Sequence, residues 1–195
     1  MTKWRTYGHR GDETEELINS TNEYYRNYNV GIITKIPVPI KVMEINRKNK
    51  EDIFGGKTKG SAIITKAFFE EKSTVDYIGC VQGFTIVFDA KETNKNYLPL
   101  QNIHKHQIEY MELIRKQRGI AFIIAHFKIQ RKFYLIPIEI IKSYYDRSFK
   151  GGRKSIPMED LDNNFEIAYK NGLLYYLDTV NTYLDYIKEG KIKSV

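Results

Sequence analysis

Hydrophobic and polar positions along this chain follow both helical and strand periods. Apolar side chains recur every three or four residues over 100–116, which predicts an amphipathic helix. The stretch 119–127 is almost continuously apolar, which is typical of a strand buried on both faces. These patterns predict helices at 12–28, 100–116, 138–145 and 173–188, strands at 30–36, 61–69, 119–127 and 133–136, and a hairpin over 76–88 that turns near Gln82 and Gly83.

Helices and strands are therefore mixed along the whole chain, and no internal repeat is visible. This mixture predicts an α/β fold with a mixed central β-sheet flanked by helices. The polar stretch 92–99 and the basic, glycine-rich stretch 149–157 are predicted to be loops. A chain of 195 residues is long enough for one domain with a substantial core, so residues 1–195 are expected to form a single domain.

The segment from about 30 to 70 differs from the rest of the chain. Pro37 and Pro39 favour a rigid or edge strand, and the stretch 46–60 is polar and basic with a Gly55-Gly56 pair. We expect a stalk-like insertion with a basic tip here.

Composition limits the cellular setting. No stretch approaches the roughly 20 apolar residues that span a bilayer, and residues 1–12 lack the apolar region of a signal peptide. Cys80 is the only cysteine, so no internal disulfide can form. We therefore expect a cytoplasmic protein without a membrane partner.

The net charge of +7 and the pI of about 9.2 indicate an affinity for polyanions, of which nucleic acid is the commonest. Many basic proteins bind no nucleic acid, so this signal matters only together with a site for phosphodiester chemistry.

Such a site is indicated by Asp76, Asp89 and Lys91. The two carboxylates lie on the two arms of the predicted hairpin, and Mg²⁺ prefers hard oxygen ligands while keeping several waters. Residues 89 and 91 share one face of a strand, so Lys91 would lie beside the metal, where it could position or deprotonate a water or balance charge on phosphorus. A D-x-K triplet by itself also occurs by chance at solvated strand ends.

Several longer segments point to a family. Residues 73–77, 88–93, 99–107 and 152–156 resemble, in order, segments of the RecU Holliday junction resolvases, which have the PD-(D/E)xK motif of restriction-endonuclease-like nucleases. Residues 10–11 and 22–25 are also similar, and the resemblance covers about residues 10 to 190.

The resemblance implies a restriction-endonuclease-like fold with a projecting stalk, and it implies roles for individual residues. The metal ligands would be Thr74, Asp76, Asp89 and Gln107, and Lys91 would stabilise the transition state. The family usually has Glu where this chain has Asp89, and the wider superfamily accepts either residue. Gln107 has an alternative interpretation as an exposed helix residue.

Further residues are weaker candidates. Glu15 lies where related nucleases often place another acid, although it could instead cap the first helix. His104 and His106 lie two positions apart on different helix faces, which disfavours a zinc site. Candidate DNA-binding residues are Arg10, Arg47, Lys57, Lys59, Arg153 and Lys154, each of which could equally be a solvated charge.

The resemblance also implies the activity and partners. It implies a Mg²⁺-dependent endonuclease, with Mn²⁺ as a substitute, which nicks four-way DNA junctions symmetrically as a homodimer in recombination and repair. A RecA-type recombinase, a branch-migration helicase and association with the nucleoid are further expectations. The alternatives are a nuclease of the same fold that acts on other DNA, and a catalytically inactive junction-binding protein.

Overall fold

A computed structural model describes residues 12–37, 40–47, 50–51, 57–58, 62–69 and 74–192. Within these residues there are four α-helices: α1 (Asp12–Asn27), α2 (Lys105–Lys116), α3 (Ile138–Ser148) and α4 (Tyr176–Lys188). The strands are β1 (Ile32–Lys35), β2 (Ile40–Arg47), β3 (Lys50–Glu51), β4 (Lys57–Thr58), β5 (Ala62–Phe69), β6 (Tyr77–Val81), β7 (Phe84–Thr93), β8 (Tyr97–Pro99), β9 (Ile120–Phe127), β10 (Lys132–Pro137), β11 (Ser155–Pro157), β12 (Tyr169–Lys170) and β13 (Leu173–Leu174).

A five-stranded mixed sheet forms the centre of the fold, in the order β1-β6-β7-β9-β10. Strands β7 and β9 are parallel, and the other neighbouring pairs are antiparallel. Every residue of β9 is buried, because its apolar side chains meet other elements on both faces of the sheet. The predicted α/β class with a mixed central sheet is confirmed.

The four helices bury one apolar face each, as their periodicity predicts. Ile18 and Tyr25 of α1 are buried, as are Ile108 of α2, Ile141 of α3 and Tyr183 of α4. The predicted helix boundaries agree with the structure to within a few residues, except that 100–102 form a 3-10 turn before α2 begins. No helix in the described part of the chain is long and apolar enough to cross a membrane.

Two predicted loops contain strands. Strand β8 lies in the predicted loop 92–99 and β11 in the predicted loop 149–157, and the two pair antiparallel. Each strand has three residues, too few to establish an alternating pattern in sequence. The structure therefore corrects both loop predictions.

The chain divides into two compact units, one formed by residues 1–36 with 74–195 and the other by Pro37–Ser73. In the second unit β2 pairs antiparallel with β5, with irregular register after Val42, and β3 pairs with β4. A projecting stalk within 30–70 stays a prediction, and part of its basic tip lies outside the described residues.

Candidate active site

The β6–β7 hairpin places the two predicted acidic residues opposite each other. Its turn lies at Gln82 and Gly83, whose φ angles are 49° and 87°, values that favour a two-residue hairpin turn. The register pairs Tyr77 with Phe88, and their rings stack at 4.7 Å. Asp76 and Asp89 are the next residues on either side of this pair, so their side chains meet at one end of the hairpin.

Two hydrogen bonds hold the carboxylates in reciprocal positions. The backbone N–H of Asp76 donates to Asp89 Oδ1 at 2.7 Å. The backbone N–H of Ala90 donates to Asp76 Oδ2 at 3.1 Å. Because each carboxylate is bound by backbone from the opposite strand, their relative geometry depends on the sheet rather than on flexible side chains.

Lys91 lies against both carboxylates. Its Nζ is 3.4 Å from Asp89 Oδ2 and 3.7 Å from Asp76 Oδ2. The Lys91 side chain is only 15% exposed, and this position agrees with the prediction that residues 89 and 91 share a strand face. The structure thus brings the three residues of the predicted catalytic cluster together.

Asp89 has the most perturbed electrostatics of the cluster. Its side chain is 0% exposed, and Oδ2 has no hydrogen-bond partner among the described residues. Burial raises the pKa of Asp89 to about 6; nearby Lys91 opposes this rise, and the neighbouring Asp76 charge adds to it. A buried carboxylate charge is costly; the Lys91 ammonium at 3.4 Å from Oδ2 offsets part of that cost, and a divalent cation would offset more.

The carboxylates of Asp76 and Asp89 supply the hard oxygen ligands that a divalent cation such as Mg²⁺ prefers. Within the described residues no group of three or more His, Cys, Asp and Glu side chains is arranged to hold a metal. Two carboxylates would leave the remaining positions to neutral oxygens and water, the coordination that Mg²⁺ favours.

Thr74 and Gln107 occupy different settings. Thr74 is exposed and precedes Asp76 by two residues, at the entry to β6. Gln107 is buried in the first turn of α2, so its interpretation as an exposed helix residue is wrong. Gln107 Oε1 accepts the backbone N–H of His104 at 3.1 Å, which fixes the side chain. Their metal-binding roles stay predictions.

A cavity of about 410 Å³ lies beside the carboxylate cluster. Lys91 and Glu15 both contribute to its wall, and Lys35 of β1 donates a hydrogen bond to the Glu15 carboxylate. Its full lining consists of Thr14, Glu15, Ala90, Lys91, Glu92, Gln101, Asn102 and His104. The cavity therefore brings Glu15 of α1 and Lys91 of β7 to one open space.

A buried hydrogen-bond network that the sequence did not predict connects α1 to the central sheet. Thr14 Oγ1 donates to Glu92 Oε1 at 2.5 Å and lies 2.7 Å from His126 Nδ1. Because a hydroxyl has one proton to donate, His126 Nδ1 must be the donor to Thr14. Burial lowers the pKa of His126, which keeps the ring neutral in this arrangement.

Glu92 is the acidic member of this network. Burial opposes its ionisation, but the hydrogen bonds from Thr14 and Lys128 hold its pKa below the ordinary value. Its position directly after Lys91 was the only sequence signal that could have identified it. Since Thr14 precedes Glu15, the network sets where Glu15 meets the cavity.

The candidate DNA-binding residues belong to different parts of the sequence. Arg153 is exposed, with Nη1 3.8 Å from Asp160, and Lys154 is exposed just before β11. Arg47 and Lys57 lie in β2 and β4 of the second unit, where only the backbone is described, and Arg10 and Lys59 lie outside the described residues.

Known proteins resemble this chain over most of its length. A sequence profile for the family described as RecU, Recombination protein U, matches residues 9–182. The chain belongs to the RecU family. Among its RecU relatives, proteins from Bacillus cytotoxicus and Bacillus cereus are each 37% identical over 163 residues, which cover 83% of this chain and 77% of the relative. One from Bacillus thuringiensis is 38% identical over 160 residues, 82% of this chain and 76% of the relative.

All three relatives are named Holliday junction resolvase RecU. The resemblance to RecU that the sequence segments indicated is therefore confirmed. Residues 9–182 include every residue of the carboxylate and lysine cluster.

Proposed function

We propose that this protein is a Holliday junction resolvase, a metal-dependent DNA endonuclease that nicks four-way junctions during recombination and repair. The observation that carries the proposal is the cluster of Asp76, Asp89 and Lys91, which is intact and held by backbone hydrogen bonds. Membership of the RecU family and the names of the relatives support the same activity.

The proposed metal is Mg²⁺, with Mn²⁺ as a substitute. Asp76 and Asp89 would hold it, with Thr74 and Gln107 as further oxygen ligands. When bound, a divalent cation activates a water as nucleophile and neutralises charge on the scissile phosphate. The buried Asp89 Oδ2, which has an ion pair with Lys91 but no hydrogen bond among the described residues, supports a divalent cation at this position.

The chain's own residues perform the remaining tasks. Asp76 and Asp89, fixed by the Ala90 and Asp76 N–H groups, would hold the cation and thereby determine where the anionic phosphate is bound. The Lys91 ammonium balances the negative charge that develops on the phosphate oxygens as water attacks. Glu15 faces the same cavity and is an accessory acid that helps to orient the attacking water.

The assembly is a homodimer, because a twofold enzyme matches the twofold symmetry of paired nicks in a junction. The segment 30–70 acts as the stalk that reads junction shape, and Arg10, Arg47, Lys57, Lys59, Arg153 and Lys154 contact phosphates. We place the enzyme in the cytoplasm on the nucleoid, where it works with a RecA-type recombinase and a branch-migration helicase.

The test is cleavage of a synthetic four-way junction and of a linear duplex with the same sequences, with and without Mg²⁺. We expect Mg²⁺-dependent, paired nicks in the junction and little cleavage of the duplex. Asp76→Asn should abolish cleavage but keep junction binding, whereas Asp185→Asn, which changes an exposed carboxylate on α4, should leave cleavage unchanged.

Two outcomes would favour the alternatives. Junction binding without cleavage by the wild-type protein would identify an inactive junction-binding protein. Equal cleavage of junction and duplex would identify a nuclease of the same fold for other DNA.

A further inference from the structure

A second cleft adjoins the catalytic cavity. It has a volume of about 580 Å³, and two residues, Gln101 and His104, line both spaces. The remaining residues of its wall are Lys95, Tyr97, Pro99, Leu100, Ile103, Lys105, Tyr145, Ser148, Lys154 and Ser155. The two spaces therefore lie side by side and share part of their walls.

The lining of the second cleft is cationic. It includes Lys95, Lys105 and Lys154, and none of the described residues that line it is a carboxylate. Lys105 Nζ also lies 3.1 Å from the exposed Glu109 carboxylate, an i,i+4 pair on α2 that solvent screens. Lys95 Nζ lies 5.1 Å from the centre of the Tyr97 ring. Lys105 begins α2, so the positive end of that helix faces the same space. These features together favour an anionic ligand.

The wall of the cleft includes a pair of hydrogen-bonded strands. Strands β8 and β11 pair there, with Pro99 opposite Ser155, and the Leu100 N–H donates to the Lys154 carbonyl at 3.1 Å. Leu98 and Ile156, at the middle of the two strands, are completely buried. Lys154 is thus attached to an anchored backbone rather than to a free loop.

A turn at Gly152 connects α3 to β11 and so determines where Lys154 lies. The Gly152 N–H donates to the Arg147 carbonyl at 2.9 Å. A Cβ atom at residue 152 would lie 2.6 Å from that same carbonyl oxygen, too close for any other residue without backbone movement. The close approach at Gly152 lets the chain leave α3 and enter β11 directly.

We propose that this second cleft is a binding subsite for the strand being cut, and that it holds a backbone phosphate adjacent to the scissile one through Lys154 and Lys105. The proposal rests on the proposed nuclease function. The subsite positions the strand along the catalytic cavity and reads no base, because its charges are directed at the phosphate backbone. It adds Lys95 and Lys105 to the DNA-contacting residues.

Binding measurements on charge variants test the subsite first. In an Asp76→Asn background, which keeps the junction uncut, Lys154→Ala and Lys105→Ala should each weaken junction binding by about three- to tenfold. Each should also reduce the slope of log K against log salt by about one. The matched control is Lys116→Ala, an exposed lysine at the other end of α2, about 16 Å along the helix axis from Lys105. Both test lysines are exposed, so the fold should be unaffected.

A single neutral linkage locates the contact. Methylphosphonates are placed one at a time along the cut strand of the junction, and binding is measured for the Asp76→Asn protein with and without Lys154→Ala. At one position near the scissile phosphate, the neutral linkage should weaken binding by the protein that retains Lys154. The same linkage should not weaken binding by the Lys154→Ala protein any further. The subsite is overturned if, at every position, the neutral linkage and Lys154→Ala weaken binding independently, so that their fold-losses multiply. It is also overturned if Lys154→Ala weakens junction binding no more than Lys116→Ala does.

The proposed function is judged separately by cleavage of the unmodified junction with Mg²⁺. If the wild-type protein cleaves it while the lysine variants show no coupling, only the subsite fails. If the wild-type protein does not cleave it, the nuclease proposal fails.

Discussion

Replacement of Asp89 by asparagine separates the effect of this carboxylate on stability from its effect on chemistry. The Asp89 side chain is 0% exposed, and its Oδ2 has no hydrogen bond among the described residues. Burial raises its pKa from 3.8 to about 6. Between these values the folded protein holds a proton that the unfolded chain has released, so stability falls as pH rises through this window. The full effect above pH 6 is about 3 kcal/mol.

An asparagine at this position would keep an oxygen for the Asp76 N–H but would carry no charge. We therefore compare the free energies of unfolding of the two metal-free proteins. Between pH 5 and pH 8, the value for Asp89→Asn should rise relative to that of the wild type by roughly 1–2 kcal/mol. Urea denaturation in the presence of a chelator measures this difference. Cleavage should be absent at every pH, because the metal ligand is lost.

Added Mg²⁺ should offset most of the stability that the wild type loses through the buried Asp89 charge. At a concentration 100 times its dissociation constant the metal stabilises the wild type by about 2.7 kcal/mol, whereas the variant gains little. Below pH 6 the metal affinity of the wild type should fall about tenfold per pH unit, since binding then displaces one proton. Parallel pH profiles for the two proteins would refute the buried charge, and equal stabilisation by Mg²⁺ would remove Asp89 from the metal site.

Three other changes test separate features of the protein. Lys91→Ala should keep metal binding but raise the activation free energy of single-turnover cleavage of prebound junction by about 3 kcal/mol. An unchanged rate would show that the lysine is only a surface charge. Thr14→Val should cost about 2–4 kcal/mol in urea denaturation, because Glu92 and His126 each lose a buried partner; stability equal to that of Thr14→Ser, which keeps a hydroxyl, would contradict this. Replacing 46–60 with a short glycine turn should preserve the metal site yet lower the preference for junction over duplex in a competition assay, and full retention of that preference would exclude the stalk as the reader of shape.

Local sequence patterns predicted much of the candidate site. The turn residues Gln82 and Gly83 and the strands on either side predicted the hairpin, and a hairpin brings Asp76 near Asp89. The period of two then placed Lys91 beside them. The reciprocal backbone hydrogen bonds depend on the detailed strand register, which the sequence pattern did not specify.

Contacts between distant segments were not predictable in this way. Thr14 meets Glu92 and His126 across 78 and 112 positions of sequence, and no local pattern connects them. Strands β8 and β11 are too short to show a period, and each becomes a strand only by pairing with the other. The cationic second cleft rests on that pair, so it could not be predicted before the pairing of the two predicted loops was known.

The central claim is that Asp76 and Asp89 hold a divalent cation beside Lys91. Diffraction from crystals grown with Mn²⁺, collected for its anomalous signal, tests this directly. We expect a peak about 2.0–2.4 Å from an oxygen of each carboxylate, the distance typical of a hard cation with oxygen ligands. Absence of a peak there, or a peak bound instead by His104 and His106, would contradict the claim.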